Sequence, residues 1–468
     1  MRTKPRLFIV TTVASTTLGF LAWFSSGHSS SIDSWKVGFA SIDITPEEPV
    51  YLAGYASRNH PHEGVAAPIH AKALALTDKN GHRGVLVTTD LIGLSAEVAE
   101  PICDRIIKAT GLERADILLN SSHTHTGPAL TLVTDPTTKM DAAESARQVA
   151  YTQLLQDRIV ELVTTALSQC DQPAHLSQAT GVAPFVMNRR EPTVDRGIIL
   201  GVNPRGPVDR SVPALRITGA NDGRLLCVVF QAACHNTTLG GNFYRITGDY
   251  AGYAQKRITE VHPNAAAFFM IGCAGDANPY PRGELTMSEA HGRTLGDEVC
   301  RLLDDQKIWT PVNGPLATRF THADLPLQPA PEGKALTELK LGSGGWRGFV
   351  ASEIERKRQN GESLSTSYRA PFSVWQFGED LTLVGLSGEV VVDYVYRLEQ
   401  ELGPNHLWIS AYCHDVYGYL PSARVLREGG YETRGIYTGG IGFFAPEAEE
   451  VVVATIRDLA NSAGRKFP

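Results

Sequence analysis

The chain has seven cysteines, Cys103, Cys170, Cys227, Cys234, Cys273, Cys300 and Cys413, but no Cys-x-x-Cys pair. A zinc ribbon and a dithiol redox centre are therefore excluded. The number is odd and most of these cysteines lie in apolar stretches, so buried free thiols are expected. The sequence also lacks His-Glu-x-x-His, Gly-x-Ser-x-Gly and any Walker-type phosphate loop. These absences argue against a zincin protease, a nucleophile-elbow serine hydrolase and a P-loop nucleotide enzyme. Basic residues are not in excess. With 43 Lys and Arg against 50 Asp and Glu, the net charge is -7 and nucleic acid is not an expected partner. Beyond the N-terminus no run approaches the ~18 apolar residues that a membrane span needs. Regular repeats and low-complexity tracts are absent.

The N-terminus reads as an export signal. Arg2, Lys4 and Arg6 precede a mostly apolar stretch from Leu7 to Phe24, and Ser, Gly and His follow. Residues 1–31 are expected to be a signal peptide or a signal anchor, which makes the protein exported, secreted or periplasmic, with the segment cleaved or kept as a membrane anchor. Residues 35–468 are expected to form one catalytic domain.

From Trp35 onward, strand-like runs alternate with helical ones. Val85–Asp90, Ile117–Leu119, Leu225–Ala233, Ala267–Ile271 and Leu381–Leu386 read as buried strands. Ser95 can cap a helix that Gly111 stops, and a long helix runs from about Ala142 to Cys170. Asp249 can cap a helix to Val261, and Ser288 one to Leu303. Gly333 to Glu362 reads as a solvated surface helix. This alternation predicts an α/β fold with a mixed β-sheet core flanked by helices.

Several of these strands end in polar groups. One leads into Ser121-Ser122-His123-Thr124-His125-Thr126-Gly127-Pro128, where two histidines two residues apart would project to one side of an extended backbone. Others end at Cys234-His235-Asn236, at Gly275-Asp276-Ala277-Asn278-Pro279 and at Ser387-Gly388-Glu389. The carboxyl ends of strands are where open sheets build sites. Two or three histidines with one carboxylate are a zinc-type donor set. Each residue also has a plainer role open to it. His235 can be a hydrogen-bonded structural histidine, His125 a loop hydrogen-bonder, and Glu389 a favourable first-turn carboxylate of the following helix.

These elements together resemble the neutral/alkaline (non-lysosomal) ceramidase family, from about Val37 to Pro446. The resemblance is carried by Asp43-Ile44-Thr45-Pro46, the His-Thr-His-Thr-Gly-Pro loop, Asn188-Arg189, His235, Thr247-Gly248-Asp249, Gly275-Asp276, Gly388-Glu389, Tyr419 and Tyr431-Glu432, in order and at similar spacing. It implies a zinc-dependent amidohydrolase that cleaves ceramide, or a related lipid-like N-acyl substrate, by attack of zinc-bound water. Contact with a membrane surface is part of that expectation. His123, His235, Glu389 and Tyr419 are implied as ligands of Zn2+. His125, Arg189 and Tyr431 are implied to surround the scissile amide.

Two departures stand out. Asn278 occupies the position where the family usually has a serine, and asparagine is no comparable nucleophile. The chain also ends soon after Pro446, where the family continues into an immunoglobulin-like domain. The alternatives are a zinc hydrolase for an ester or lactone, and a catalytically weakened ceramidase-like binding protein.

Overall fold

A computed structural model describes residues 35–133, 140–341 and 346–467. The expected signal segment, 1–31, lies outside these residues. The principal sheet has nine strands. Eight run in the spatial order Ala266–Ile271, Leu225–Ala232, Ser211–Gly219, Gln172–Val182, Trp35–Asp43, His70–Thr77, Arg83–Thr89 and Ile117–Ser121, and Thr310–Val312 pairs with Gln172–Val182. The pairings are antiparallel through the middle and parallel at both edges. Each parallel edge pair is joined by a helical crossover, as parallel strands require. Ala96–Thr110 links Arg83–Thr89 to Ile117–Ser121, and Asp249–Val261 links Leu225–Ala232 to Ala266–Ile271.

A second sheet, Leu316–Pro326, Ser367–Phe377, Leu381–Leu386 and Leu407–Ser410, packs on the first. Trp35, Leu74, Leu86, Leu118, Trp375, Leu383 and Trp408 fill the space between them. Helices Ala96–Thr110 and Ala142–Ser168 cover the outer face of the main sheet through Val98, Ile102, Leu155 and Ile159. The sheet therefore presents two apolar faces at its edges, which explains why Arg83–Thr89, Ile117–Ser121, Leu225–Ala232 and Ala266–Ile271 read as continuous apolar runs while Gln172–Val182 and Ser211–Gly219 alternate.

The two edges of the main sheet approach each other and are joined by a side chain. Asn120 Oδ1 accepts from the Ile271 amide at 3.1 Å, and Asn120 Nδ2 donates to the Ala411 carbonyl at 2.8 Å. The Ala411 amide in turn donates to the Ile271 carbonyl at 3.1 Å. This seam brings the loops that follow Ile117–Ser121 and Leu225–Ala232 side by side, and Thr124 pairs with Asn236 across it.

The mixed α/β architecture agrees with the expectation, and all seven cysteines are free thiols, six of them buried. Three local expectations are corrected. The helix assigned to a Ser288 cap begins earlier, at Leu285, because Ser288 is buried inside it and gives its hydroxyl to Asp249 Oδ1 at 2.7 Å. Gly248, not Asp249, precedes the helix Asp249–Val261. The segment expected as a solvated helix forms two helices, Gly333–Leu341 and Trp346–Gln359, which bury Leu336, Val350, Ala351 and Ile354 together. No helix among the described residues is long and apolar enough to cross a membrane.

Candidate metal centre

His123 does not lie on extended backbone. The strand stops at Ser121, and His123 adopts φ +61°, a left-handed conformation that costs a non-glycine residue energy and is concentrated at functional sites. The turn still brings the two imidazoles together, with His125 Nε2 3.1 Å from His123 Nε2. His235 reaches them from across the seam. Candidate ligand atoms of His123, His125 and His235 all lie within 4.8 Å of one another. Glu389 enters from a two-residue parallel pairing with Tyr419–Leu420. Its Oε2 is 3.3 Å from His123 Nε2 and 3.1 Å from His235 Nε2.

The hydrogen bonds on the far side of each ring set its tautomer. His123 Nδ1 is 2.6 Å from the Ile92 carbonyl, and His235 Nδ1 is 2.6 Å from the Ala274 carbonyl. A carbonyl only accepts, so each Nδ1 carries the proton. Burial pushes the His235 imidazole down to about 3, with the Arg189 guanidinium adding to the shift, so that ring is neutral and Nε2 presents a lone pair. Burial alone would raise the Glu389 carboxyl, but the His123 and His235 rings outweigh it and hold Glu389 well below the usual carboxylate range. With Nδ1 of each ring turned to a carbonyl, the Nε2 atoms of His123 and His235 both converge on Glu389 Oε2, at 3.3 and 3.1 Å. Acceptors at those distances fit around a cation, and imidazole nitrogens with a carboxylate oxygen are a zinc donor set. The far-side carbonyls supply the outer hydrogen bonds that orient histidine ligands.

A cleft of about 420 Å³ opens beside this cluster and is lined by His125, Arg189, Thr237, Asn278, Tyr419 and Tyr431, among others. Arg189 is buried and spreads its guanidinium over three acceptors. Nε donates to Glu432 Oε1 at 3.0 Å, Nη1 to Asn278 Oδ1 at 3.3 Å and Nη2 to the Tyr419 hydroxyl at 3.0 Å. Asn278 Oδ1 also accepts from Thr237 Oγ1 at 3.1 Å, so its amide is turned with the oxygen inward. The Tyr431 ring lies 5.5 Å from both Tyr419 and the Arg189 guanidinium carbon. Burial holds His125 well below the usual histidine range, with His123 and His235 adding to the effect, and its Nδ1 has no hydrogen-bond partner.

All eight residues singled out from the sequence therefore lie at this centre or along its cleft. His123, His125, His235 and Glu389 form the cluster, while Arg189, Asn278, Tyr419 and Tyr431 line the cleft beside it. Two donor sets overlap, His123 and His235 with Glu389, and the same pair with His125. Other quoted motifs serve the scaffold. Asp276 accepts from the Val392 amide at 2.8 Å and from Asn188 Nδ2 at 3.3 Å, and Asp249 takes the hydroxyl of Ser288. Asp43 and Thr45 close a local turn, with the Thr45 amide donating to Asp43 Oδ1 at 2.8 Å.

The sequence reading missed Tyr437, whose hydroxyl donates to Glu389 Oε1. It also missed Tyr412, whose ring lies 4.5 Å from His123 and whose buried hydroxyl has no partner. It gave no role to Glu432. Neither tyrosine lies in a motif, and only the adjacency of Glu432 to Tyr431 marked that residue.

The architecture and the cluster define an α/β protein with a candidate metal centre at its strand ends. The family profile for "Neutral/alkaline non-lysosomal ceramidase, N-terminal" matches residues 35–317, more than half of the chain, and the chain belongs to that family. Neutral ceramidase B of Dictyostelium discoideum is 26% identical over 283 residues, covering 55% of this chain and 37% of that protein. Neutral ceramidase A of the same organism is 25% identical over 275 residues, covering 53% and 36%. The match thus spans little more than a third of either relative's length. The crystal structure of neutral ceramidase from Pseudomonas aeruginosa shares the fold, with a TM-score of 0.68 and 18% identity over 92% of this chain and 74% of that one. A ceramidase structure described as complexed with C2 matches equally, with a TM-score of 0.68 over 93% of this chain and 76% of that one.

Proposed function

We propose that this protein is an exported zinc-dependent hydrolase that cleaves the amide of ceramide or a related lipid-like N-acyl substrate. The observation that carries this reading is the convergence of His123 Nε2 and His235 Nε2 on Glu389 Oε2, at 3.3 and 3.1 Å, beside a cleft edged by Arg189. His123, His235 and Glu389 would hold the ion, with His125, grouped with the two histidines, or Tyr419 as a further donor. A zinc ion there supplies Lewis-acid polarisation and makes hydroxide accessible near neutral pH.

The chain's own groups do the rest. Arg189 offers a fixed cation, with Nη1 and Nη2 toward the cleft, for the substrate carbonyl oxygen as it gains charge. His125 stays neutral, and its unpartnered Nδ1 can carry a proton to or from the leaving amine. Asn278 spends its oxygen on Arg189 and Thr237 and keeps its NH2 to donate to the substrate. It cannot form an acyl-enzyme as a serine could, so water is the nucleophile. The basic and apolar pattern of residues 1–31 supports export, and contact with a membrane surface belongs to the same reading.

Asn278 also supports a second reading, in which the bond is an ester or lactone. An alkoxide leaving group needs less help from a proton donor than an amine does.

The test is metal analysis of protein prepared with zinc, joined to an N-acyl substrate screen. One zinc per chain, lost in His123→Ala and in Glu389→Ala, together with fatty-acid release from N-acylsphingosines, is the expected result. Protein that takes up no zinc overturns the site. Zinc-loaded protein that is inert on amides and active on esters moves the assignment to the second reading.

A further inference from the structure

We propose that the segment Glu432–Tyr437 is a single positioning device that holds both halves of the site. Tyr437 aims the Glu389 carboxylate at the metal, and Glu432 aims the Arg189 guanidinium at the cleft. The inference rests on the hydrolase reading above and goes beyond it, to residues that neither touch the scissile bond nor ligate the ion.

The terminal torsion of a glutamate is broad, so a lone Glu389 carboxylate would turn freely. Here its two oxygens are divided. Oε2 faces His123 and His235 at 3.3 and 3.1 Å, and Oε1 accepts from the Tyr437 hydroxyl. A donor on the outer oxygen of a ligating carboxylate fixes its orientation and tunes its affinity for the metal.

Five residues earlier, Glu432 is fully buried and forks between two arginines. Its Oε1 accepts from Arg189 Nε at 3.0 Å, and its Oε2 accepts from Arg190 Nη1 at 2.6 Å. Arg190 is held in turn by Glu428 at 3.1 Å and by the Gly429 carbonyl at 2.8 Å. By taking Nε, Glu432 leaves both terminal nitrogens of Arg189 for the cleft side.

The segment between these two residues is fastened to the strand that carries Tyr419. The Tyr437 amide donates to the Tyr417 carbonyl at 2.8 Å, and the Tyr419 amide donates to the Gly435 carbonyl at 3.2 Å. Gly418 at φ +147° makes this possible, because a Cβ there would strike the Gly435 carbonyl, while Gly435 at φ +74° lies as closely against the Gly442 carbonyl on its other side. The phenol and the carboxylate thus sit on one rigid piece of chain, so a shift of that piece moves the metal carboxylate and the cleft arginine together.

The test compares zinc-loaded wild type, Tyr437→Phe and Glu432→Gln. It measures the zinc dissociation constant by chelator competition, the visible spectrum of the cobalt-substituted protein, and kcat and KM for fatty-acid release. Tyr437→Phe keeps the ring and is expected to weaken zinc binding by about tenfold to a hundredfold and to alter the cobalt spectrum. Glu432→Gln is expected to keep the wild-type zinc affinity and cobalt spectrum while kcat falls and KM changes little. Should Glu432→Gln fail to fold, Glu432→Asp keeps the charge, retracts it by one methylene, and carries the same expectation. Unchanged zinc affinity in Tyr437→Phe, or equal loss of zinc in the Glu432 variant, overturns the division of roles while the hydrolase reading stands. A wild type that binds no zinc overturns the hydrolase reading and this proposal with it.

Discussion

Replacing Arg189 by methionine removes the guanidinium and roughly preserves the side chain's volume, and the structure indicates how the cost divides. Three hydrogen bonds are lost, to Glu432, Asn278 and Tyr419. Asn278 Oδ1 keeps Thr237, and Glu432 keeps Arg190 on its other oxygen. Only one carboxylate oxygen and one phenol oxygen are left short of a donor, at about 1–3 kcal/mol for each buried group. That total, about 2–6 kcal/mol, lies within or below the usual 5–15 kcal/mol of folding stability, so the variant should fold, though less stably. Loss of a preorganised donor to a developing oxyanion costs about 2.7–4 kcal/mol in the barrier, a fall of roughly a hundredfold to a thousandfold in kcat. Urea unfolding measures the first quantity and steady-state release of fatty acid the second. Zinc should still bind through His123, His235 and Glu389, to none of which Arg189 donates, although the bond from Arg189 to the Tyr419 hydroxyl is lost. Arg189→Met protein that folds, keeps zinc and retains most of its kcat would refute the assignment of Arg189 to the carbonyl.

Three further outcomes are expected. Asn278→Ser withdraws the acceptor from Arg189 and replaces the NH2 by a shorter hydroxyl that no longer reaches as far into the cleft, and should lower turnover of the best N-acyl substrate by about tenfold, the equivalent of one hydrogen bond of about 1.4 kcal/mol; a rise in ceramide turnover above wild type would show that Asn278 is set for a different substrate. Burial raises the Asp276 carboxyl to about 7. A carboxyl that holds its proton more tightly when folded favours the native state at low pH, and that contribution fades as pH rises from about 4 to about 7. Asp276→Asn should flatten this part of the stability profile, as read from urea midpoints at about pH 5 and about pH 8, and an unchanged slope would exclude Asp276 as its source. Trp375 lies between the two sheets at 1% exposure and donates to the Ala115 carbonyl at 3.0 Å, so Trp375→Ala should cost about 3–5 kcal/mol in a denaturant titration.

Five buried strands were legible because each is a short apolar run that ends in glycine, proline or a polar cluster, whereas Trp35–Asp43, His70–Thr77, Gln172–Val182, Ser211–Gly219, Leu316–Pro326 and Ser367–Phe377, which mix polar and apolar residues, were not. The helix Ala96–Thr110 was legible to the residue, since Gly111 takes the left-handed cap that glycine favours and Ser95 stands at the N-terminal boundary, although its hydroxyl makes no capping bond. Ser288 misled for the same kind of reason. A serine hydroxyl can cap a helix or serve a distant carboxylate, and only the fold shows that Asp249 takes it. The individual histidines could be picked out at strand ends, but their convergence could not be derived from spacing. It depends on the closure of the two sheet edges through the Asn120 amide and on the left-handed turn at His123. Family resemblance supplied that link. Tyr437 was invisible because it lies 48 residues from the carboxylate it serves, in a glycine-rich stretch with no pattern of its own.

The Asn120 seam has a mechanical consequence. Elsewhere along the main sheet, neighbouring strands resist separation through a ladder of backbone hydrogen bonds. At the seam no such continuous ladder runs, and the two bonds of Asn120 and that of the Ala411 amide are joined by scattered ones, from the Ser121 amide to Tyr412, the His125 amide to Asn236 and the His414 amide to Leu119. The seam is therefore more sparsely bonded than the lines between neighbouring strands, and the loops of His123 and His235 meet across it. Because the two imidazoles stand on opposite sides of that line, their separation depends on how closely the sheet edges are drawn together.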